Sequence, residues 1–321
     1  MTGGTPVRGE TAHPDTAHLS RRRRWRRRGY ALLARGVLGL LRRLPEPAGR
    51  GLCRALAALA WRIRPRERRL AERNVALVFP DHAPARRRRL LLQARRRLAD
   101  NLYVTATLPA RVRRGLPEVA DPDGVLAAAQ RLRDEGRGLI VLTGHFSCWE
   151  LLGAWLARGL GGLTAVTATI RNPPVDRLVN GWRRACGLTP VPRRRGLAPL
   201  AAALRRGEAV VLLPDQALAA ADLTLPFCGR PAPTVSGPAR LALLTGAPLL
   251  PVALARRATG GPPAYRVVML PPLRPAGSGP EAVTALAAAM NAALSELLLR
   301  NPAEWVWFHD RWRLRDDPTL R

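Results

Sequence analysis

Residues 138–153 read GLIVLTGHFSCWELLG, and this stretch decides the fold. Gly138–Thr143 is a short apolar run closed by Gly144, the signature of a buried strand. Five positions later Trp149–Arg158 has helix-forming composition. A buried strand, a glycine turn and a helix together open a βα unit. The same texture extends in both directions. Helix Gly124–Asp134 precedes it, and strand Leu163–Ala168 and helix Val175–Cys186 follow. Beyond them come helix Leu197–Arg206, strand Ala209–Leu213 (AVVLL) and helix Gly237–Leu244. Strands Leu249–Ala255 and Tyr265–Leu270 and a long helix, Glu281–Arg300, complete the pattern. Continuous apolar strands alternating with helices predict an α/β body over residues 115–321, a mostly parallel central sheet flanked by helices.

The front of the chain differs. Residues 1–29 read as a basic, disordered tail, and residues 30–114 as a helical region. Tyr30–Leu44 and Gly51–Arg64 are the first two helices, and Arg86–Asp100 is a further basic one. Within the second, Leu52, Leu56, Leu59 and Ile63 recur at helical spacing with Arg54 and Arg62 between them. That pattern fits an amphipathic helix lying in a lipid interface, and equally an ordinary core helix with a solvated arginine face.

All 53 basic residues of this 321-residue chain are arginine, against 23 acidic ones. Residues 1–114 hold 29 Arg and 7 acidic residues, a net +22, whereas residues 115–321 carry only +8. A front-loaded excess predicts an anionic partner, either nucleic acid or the face of an anionic membrane. The basic region has few aromatics and no nucleic-acid recognition motif, which weighs against an arginine-rich nucleic-acid binder.

Cys53, Cys148, Cys186 and Cys228 are far apart and form no C-x-x-C pair, so neither a disulfide framework nor a zinc site is expected. No run of about 18 uncharged apolar residues occurs, so an unambiguous spanning helix is not expected. Arg21–Arg28 and the apolar Tyr30–Leu41 resemble a secretory signal. Arg42, Arg43 and Pro45-Glu46-Pro47 follow without a small-residue cleavage site, which predicts a retained segment with its arginines on the cytoplasmic side.

The chemistry concentrates at His145, at the carboxyl end of the first strand, where open α/β sheets gather their functional groups. Glu150 lies in the first turn of the next helix, and a fold-back onto the imidazole would give a base oriented by a carboxylate. The same spacing also suits a capping histidine beside a carboxylate at a helix amino end. No metal is expected, because no second histidine or cysteine cluster joins His145, Cys148 and Glu150. Thr234 and Ser236 are candidates to cap helix Gly237–Leu244. Trp305, Trp307, Phe308 and Trp312 fit a membrane interface or an acyl-groove rim, or equally the packing of the final segment.

Five segments in order, GHFSCWELLG, RNPPVDRLVNGWRR, LLPDQ, LPFCGRPAPTVSGPARLALLTGAPLLPV and PAEWVWFHDRW, carry a resemblance. Together with RNVALVFP they make the chain, from Asn74 to Arg313, similar to the lipid A biosynthesis (late lauroyl/myristoyl) acyltransferases. That family also includes phosphatidylinositol mannoside acyltransferases. The resemblance implies a glycerolipid-acyltransferase-like sheet and an H-x4-[DE] catalytic pair at His145 and Glu150, with Glu150 holding the imidazolium. It implies substrate-binding roles for Arg171, Arg183 and Asp215, with Asp215 positioning Arg183 or the acceptor, and an oxyanion held by backbone N–H groups of the Gly144 turn. Where many members carry Gly-Asn, this chain has Ser147-Cys148. The implied reaction moves a fatty acyl chain to a hydroxyl of a membrane glycolipid, a lipid A precursor above other glycolipids. No cofactor is implied. The donor is an acyl carrier protein thioester in preference to acyl-CoA, and the partners are that carrier, the lipid acceptor and an anionic membrane surface. The implied location is the cytoplasmic face of the inner membrane, held monotopically or by one N-terminal anchor.

Overall fold

The apolar runs become strands buried on both faces. The computed structural model describes residues 21–116, 118–257 and 264–313. The chain enters through four helices, α1 (Arg21–Arg43), α2 (Glu46–Ile63), α3 (Pro65–Val78) and α4 (Pro84–Arg113). The short β1 (Val119–Ala120) and α5 (Val125–Asp134) lead into β2 (Leu139–Leu142) and α6 (Trp149–Gly159). Next come β3 (Leu163–Thr167), α7 (Pro173–Ala185), β4 (Leu188–Pro192), α8 (Ala198–Arg205) and β5 (Ala209–Leu212). A hairpin of β6 (Leu223–Phe227) and β7 (Arg230–Thr234) precedes α9 (Gly237–Thr245). Then β8 (Leu249–Arg256), β9 (Tyr265–Met269) and α10 (Gly279–Arg300) close the body.

Seven strands form one sheet in the order β1-β9-β8-β2-β5-β3-β4. Strands β8, β2, β5, β3 and β4 are parallel, and β9 runs antiparallel to β8. The expected α/β fold with a mostly parallel sheet is therefore observed. One core layer joins α8, α9, α10 and the final tryptophans to one sheet face, and the other joins α5 and α6 to the opposite face. Helices α3 and α4 contribute Val75, Leu91, Val104 and Leu108 to these same layers, so the front helices share the core of the α/β body.

Several elements differ from the sequence reading. Helix α1 starts at Arg21, so residues 21–29, expected in a disordered tail, form its first turns; residues 1–20 lie outside the described residues. Helix α3 and the β6–β7 hairpin were not expected. In α2, Leu56, Leu59 and Ile63 point outward, with Ile63 67% exposed. Trp25, Tyr30, Leu32, Leu33 and Leu40 of α1 are also exposed. These positions are therefore not core, whereas Leu41, Leu38 and Leu52 on the same helices pack with Cys53 against Ala99 and Tyr103 of α4. Gly49 lets α2 approach α4, because a Cβ there would stand 2.2 Å from the Tyr103 ring.

Helix α10 alone among the described residues is long and apolar enough to cross a membrane. It lies instead against the sheet, with Leu286, Met290, Leu294 and Leu297 buried. Trp305, Trp307 and Trp312 are buried and only Phe308 is exposed, so packing of the final segment, not an interface, accounts for the aromatic cluster. Arg311 anchors that segment: fully buried, it donates to the Pro233 carbonyl and stacks on Phe227 at 4.6 Å. Burial lowers its pKa to about 10, only partly offset by the charge of Asp215.

Candidate active site

Strands β2 and β5 are neighbours in register, with Leu142 opposite Leu212. Their carboxyl ends therefore deliver His145 and Asp215 side by side, although 70 residues separate them in sequence. Asp215 is completely buried. Its Oδ1 lies 2.8 Å from His145 Nδ1, and its Oδ2 accepts the His145 backbone N–H and the Trp305 Nε1–H, each at 2.8 Å. Gly144 makes this approach possible: a Cβ there would meet the Asp215 carboxyl carbon at 2.9 Å. The turn is tightened at Ser147, which takes φ +46° and donates its N–H to the Glu304 carbonyl at 2.7 Å. Trp149 packs against the imidazole, ring to ring at 5.0 Å.

Glu150 occupies the first turn of α6 as expected, but its hydrogen-bonding partner is not His145. It accepts from the Arg183 guanidinium, Nη2 to Oε1 at 2.5 Å and Nε to both oxygens at 3.2 Å. A charge-assisted, forked contact of this kind outcompetes a single bond to an imidazole. Two expectations are thereby corrected. The imidazole is held by Asp215, not by Glu150, and Asp215 positions His145, not Arg183. Arg183 reaches Glu150 from the last turn of α7, while Arg171 is exposed and follows Ile170 of the cleft wall. In the turn expected to hold an oxyanion, the N–H groups of His145, Phe146 and Ser147 are bonded within the chain. Nor do the candidate caps cap. Ser236 Oγ bonds Asp222, and Thr234 Oγ1 donates to the Ala232 carbonyl.

His145, Glu150 and Arg183 line one cleft of about 700 Å³. Its floor and walls are apolar, with Leu152, Val166, Leu200 and Leu212 among them, and Arg193, Arg240 and Asp222 also border it. An apolar cavity with a few convergent polar groups is the usual form of a small-molecule site. Burial disfavours the imidazolium of His145, but the Asp215 charge, its hydrogen bond and the Glu150 charge outweigh that effect, so the pKa is raised. For Asp215 burial acts upward, and His145 with the other donors holds the net value low. A buried carboxylate thus keeps the imidazole basic and fixes which ring nitrogen faces the cleft. Cys148, pushed up to about 11 by burial, turns to Thr105 Oγ1 and the Asn101 carbonyl. Among the described residues no group of His, Cys, Asp and Glu could hold a metal ion. Trp305 was missed as a site residue. Its place in PAEWVWFHDRW marks aromatic packing and gives no hint of the contact to Asp215.

Comparison with known proteins places the chain in a family. The chain is 28% identical over 290 residues to a lipid A biosynthesis palmitoleoyltransferase of Escherichia coli (strain K12), covering 87% of this chain and 90% of that protein. A lipid A biosynthesis lauroyltransferase of the same organism is 27% identical over 288 residues, covering 88% and 90%. A phosphatidylinositol mannoside acyltransferase of Mycolicibacterium smegmatis (strain ATCC 700084 / mc(2)155) is 28% identical over a shorter 183 residues, 56% and 58% of the two chains. Residues 16–314 match the bacterial lipid A biosynthesis acyltransferase family. With the match spanning nearly the whole chain and the buried dyad standing at the sheet edge, this protein belongs to the bacterial lipid A biosynthesis acyltransferase family and is an acyltransferase.

Proposed function

We propose that the protein transfers a fatty acyl chain from an acyl carrier protein thioester to a hydroxyl of a membrane glycolipid, a lipid A precursor, with His145 as general base. The observation that carries this reading is the His145–Asp215 contact at the mouth of an apolar cleft. The free ring nitrogen takes the proton of the acceptor hydroxyl. The resulting oxygen nucleophile attacks the thioester carbonyl, a tetrahedral intermediate forms, and the C–S bond breaks. The imidazolium returns its proton to the departing thiolate, so no acyl-enzyme is needed. Asp215 stabilises the imidazolium at 2.8 Å, and Glu150 adds its charge from further away. The Glu150–Arg183 pair shapes the cleft and leaves Arg183 donors near the developing oxyanion. The apolar walls suit the acyl chain.

A lipid A precursor is favoured over a phosphatidylinositol mannoside because the lipid A relatives align over nearly the whole chain and the mannoside relatives over about half. The exposed apolar residues of α1 and α2, with arginines on the same helices, suit docking on the cytoplasmic face of the inner membrane. Helix α1 also touches α7, the helix that carries Arg183, where Arg42 stacks on Trp182 at 4.8 Å. The test incubates purified protein with labelled acyl carrier thioester or acyl-CoA and a panel of lipid acceptors, and identifies products by mass spectrometry. An acylated lipid A precursor formed preferentially from the carrier thioester is expected. Acylation of another acceptor alone, or none from any donor, contradicts the reading.

A further inference from the structure

Away from the His145 cleft, a second cavity of about 420 Å³ is lined by Arg97, Arg256, Arg257, Arg266 and Arg300, with no acidic residue in its wall. Three of these arginines are tied to carboxylates, two of them buried (Glu304 and Asp100) and the third, Glu296, on the exposed face of α10. Arg97 pairs with Glu304 at 2.6 Å, Arg256 with Asp100 at 3.4 Å, and Arg300 with Glu296. Glu304 is sealed, its side chain 1% exposed, so its charge is not presented to the cavity. Arg257 and Arg266 are exposed, and neither has a carboxylate partner among the described residues. Uncompensated guanidinium charge therefore faces the opening. Two of the paired arginines are also preorganised. Arg256 stacks on Tyr265 at 5.2 Å and donates to Asn101 Oδ1 at 3.0 Å, and Arg97 is fixed by Glu304. Planar, held guanidiniums beside free ones match a phosphate, which accepts forked hydrogen bonds.

The cavity's position indicates where such a phosphate comes from. Strand β8 runs parallel to β2, and Arg256 lies five residues past Pro251, the partner of Leu142. At about 3.3 Å per residue it stands roughly 16 Å beyond that level, on the same edge as His145. The cavity also adjoins the helix with the exposed apolar stripe, since Asp100 pairs with Arg256 of the cavity and with Arg54 of α2. Glu304 then connects cavity and base, because its side chain holds Arg97 while its carbonyl holds the Ser147 N–H. Its neighbour Trp305 holds Asp215.

Building on the acyl-transfer reading above, we propose that the arginine cavity receives a phosphate of the lipid acceptor's headgroup and thereby sets the acceptor hydroxyl at His145. The exposed Arg257→Gln/Arg266→Gln pair tests it, with the exposed surface pair Arg194→Gln/Arg195→Gln as control. Transfer is measured in mixed micelles with a phosphorylated lipid acceptor and with the same lipid after phosphatase treatment. The wild type should show a KM at least about tenfold lower for the phosphorylated lipid, by analogy with one lost charged hydrogen-bond pair. The cavity variant should erase that difference through KM, with kcat within about twofold and the donor KM unchanged. The control should behave as wild type. Equal KM values for the two lipids in the wild type, or a variant that raises the donor KM instead, overturns the proposal. Calorimetric binding of glucosamine 1-phosphate against glucosamine judges the cavity without acyl transfer. Phosphate-dependent binding, lost in the cavity variant alone, supports the site even if the acyl-transfer reading fails. Binding that the variant retains, or none in the wild type, refutes it.

Discussion

Asp215 does at the residue scale what the H-x4-E spacing had assigned to Glu150. The two carboxylates differ in what surrounds them: Asp215 is sealed by Trp305 and the His145 backbone, and Glu150 is drawn to the Arg183 guanidinium. His145 and Glu150 were legible because they share a short motif. The Asp215 contact was not, since pairing of β2 with β5 brings it there across 70 residues. If Asp215 orients the base, Asp215→Asn should lower kcat about 10²–10⁴-fold, the range of a lost general-base contribution. The pH–rate profile checks the cause. Wild-type activity should rise with pH through a histidine pKa above its ordinary value of about 6.5, since only the neutral imidazole accepts a proton. In Asp215→Asn that inflection should move to lower pH; an unmoved inflection would show that Asp215 does not set it. Glu150→Gln should also lower transfer while folding is retained, because it breaks the Arg183 fork at the cleft wall; steady-state kinetics with circular dichroism reads both.

Among elements, the strands β2, β5, β8 and β9 and helices α5 to α10 fall within a few residues of their expected ranges, because long apolar runs leave little choice. The elements that escaped have physical reasons for doing so. Helix α3, PRERRLAERNVALV, carries six charged residues among its 14 and shows only a thin apolar stripe. Strands β4, β6 and β7 contain prolines, which usually exclude a central strand, yet β4 is an edge and β6–β7 a separate two-stranded hairpin. Helix α2 depends on a glycine. Gly49→Ala should push on the Tyr103 ring and weaken the α2–α4 seam by about 1–3 kcal/mol, as overpacking does. Urea unfolding measures it, and an unchanged midpoint would mean that the seam is looser than described. The exposed stripe predicts a second outcome. Replacing Leu32, Leu33 and Leu40 together by Ser should cut vesicle binding at least about tenfold, given about 1.5–3 kcal/mol per fully buried leucine. A flotation assay showing undiminished binding would remove α1 from the interface.

On the scale of the whole molecule, α1 and α2, which carry the exposed apolar residues, also hold a net +12 of the +22 found in the first 114 residues. Each basic side chain near an anionic surface contributes about 1 kcal/mol, an attraction that salt screens. Stability carries a pH signature from the dyad. The raised His145 pKa adds stability that is full below the ordinary histidine value and is lost as pH rises through the folded value. The lowered Asp215 pKa adds stability present above the ordinary value and lost as pH falls through the folded one. Both contributions therefore coexist at mildly acidic pH, and thermal melts across pH should show the dyad's share disappear in His145→Ala. In the proposed reaction one imidazole at the sheet edge drives acyl transfer to a lipid hydroxyl. The direct measurement is the transfer rate of His145→Ala beside wild type, in vesicles supplied with acyl carrier thioester and lipid acceptor, with circular dichroism confirming the fold. A loss of about 10²–10⁴-fold in a folded protein is expected; near-wild-type turnover in that variant would rule out His145 as the general base.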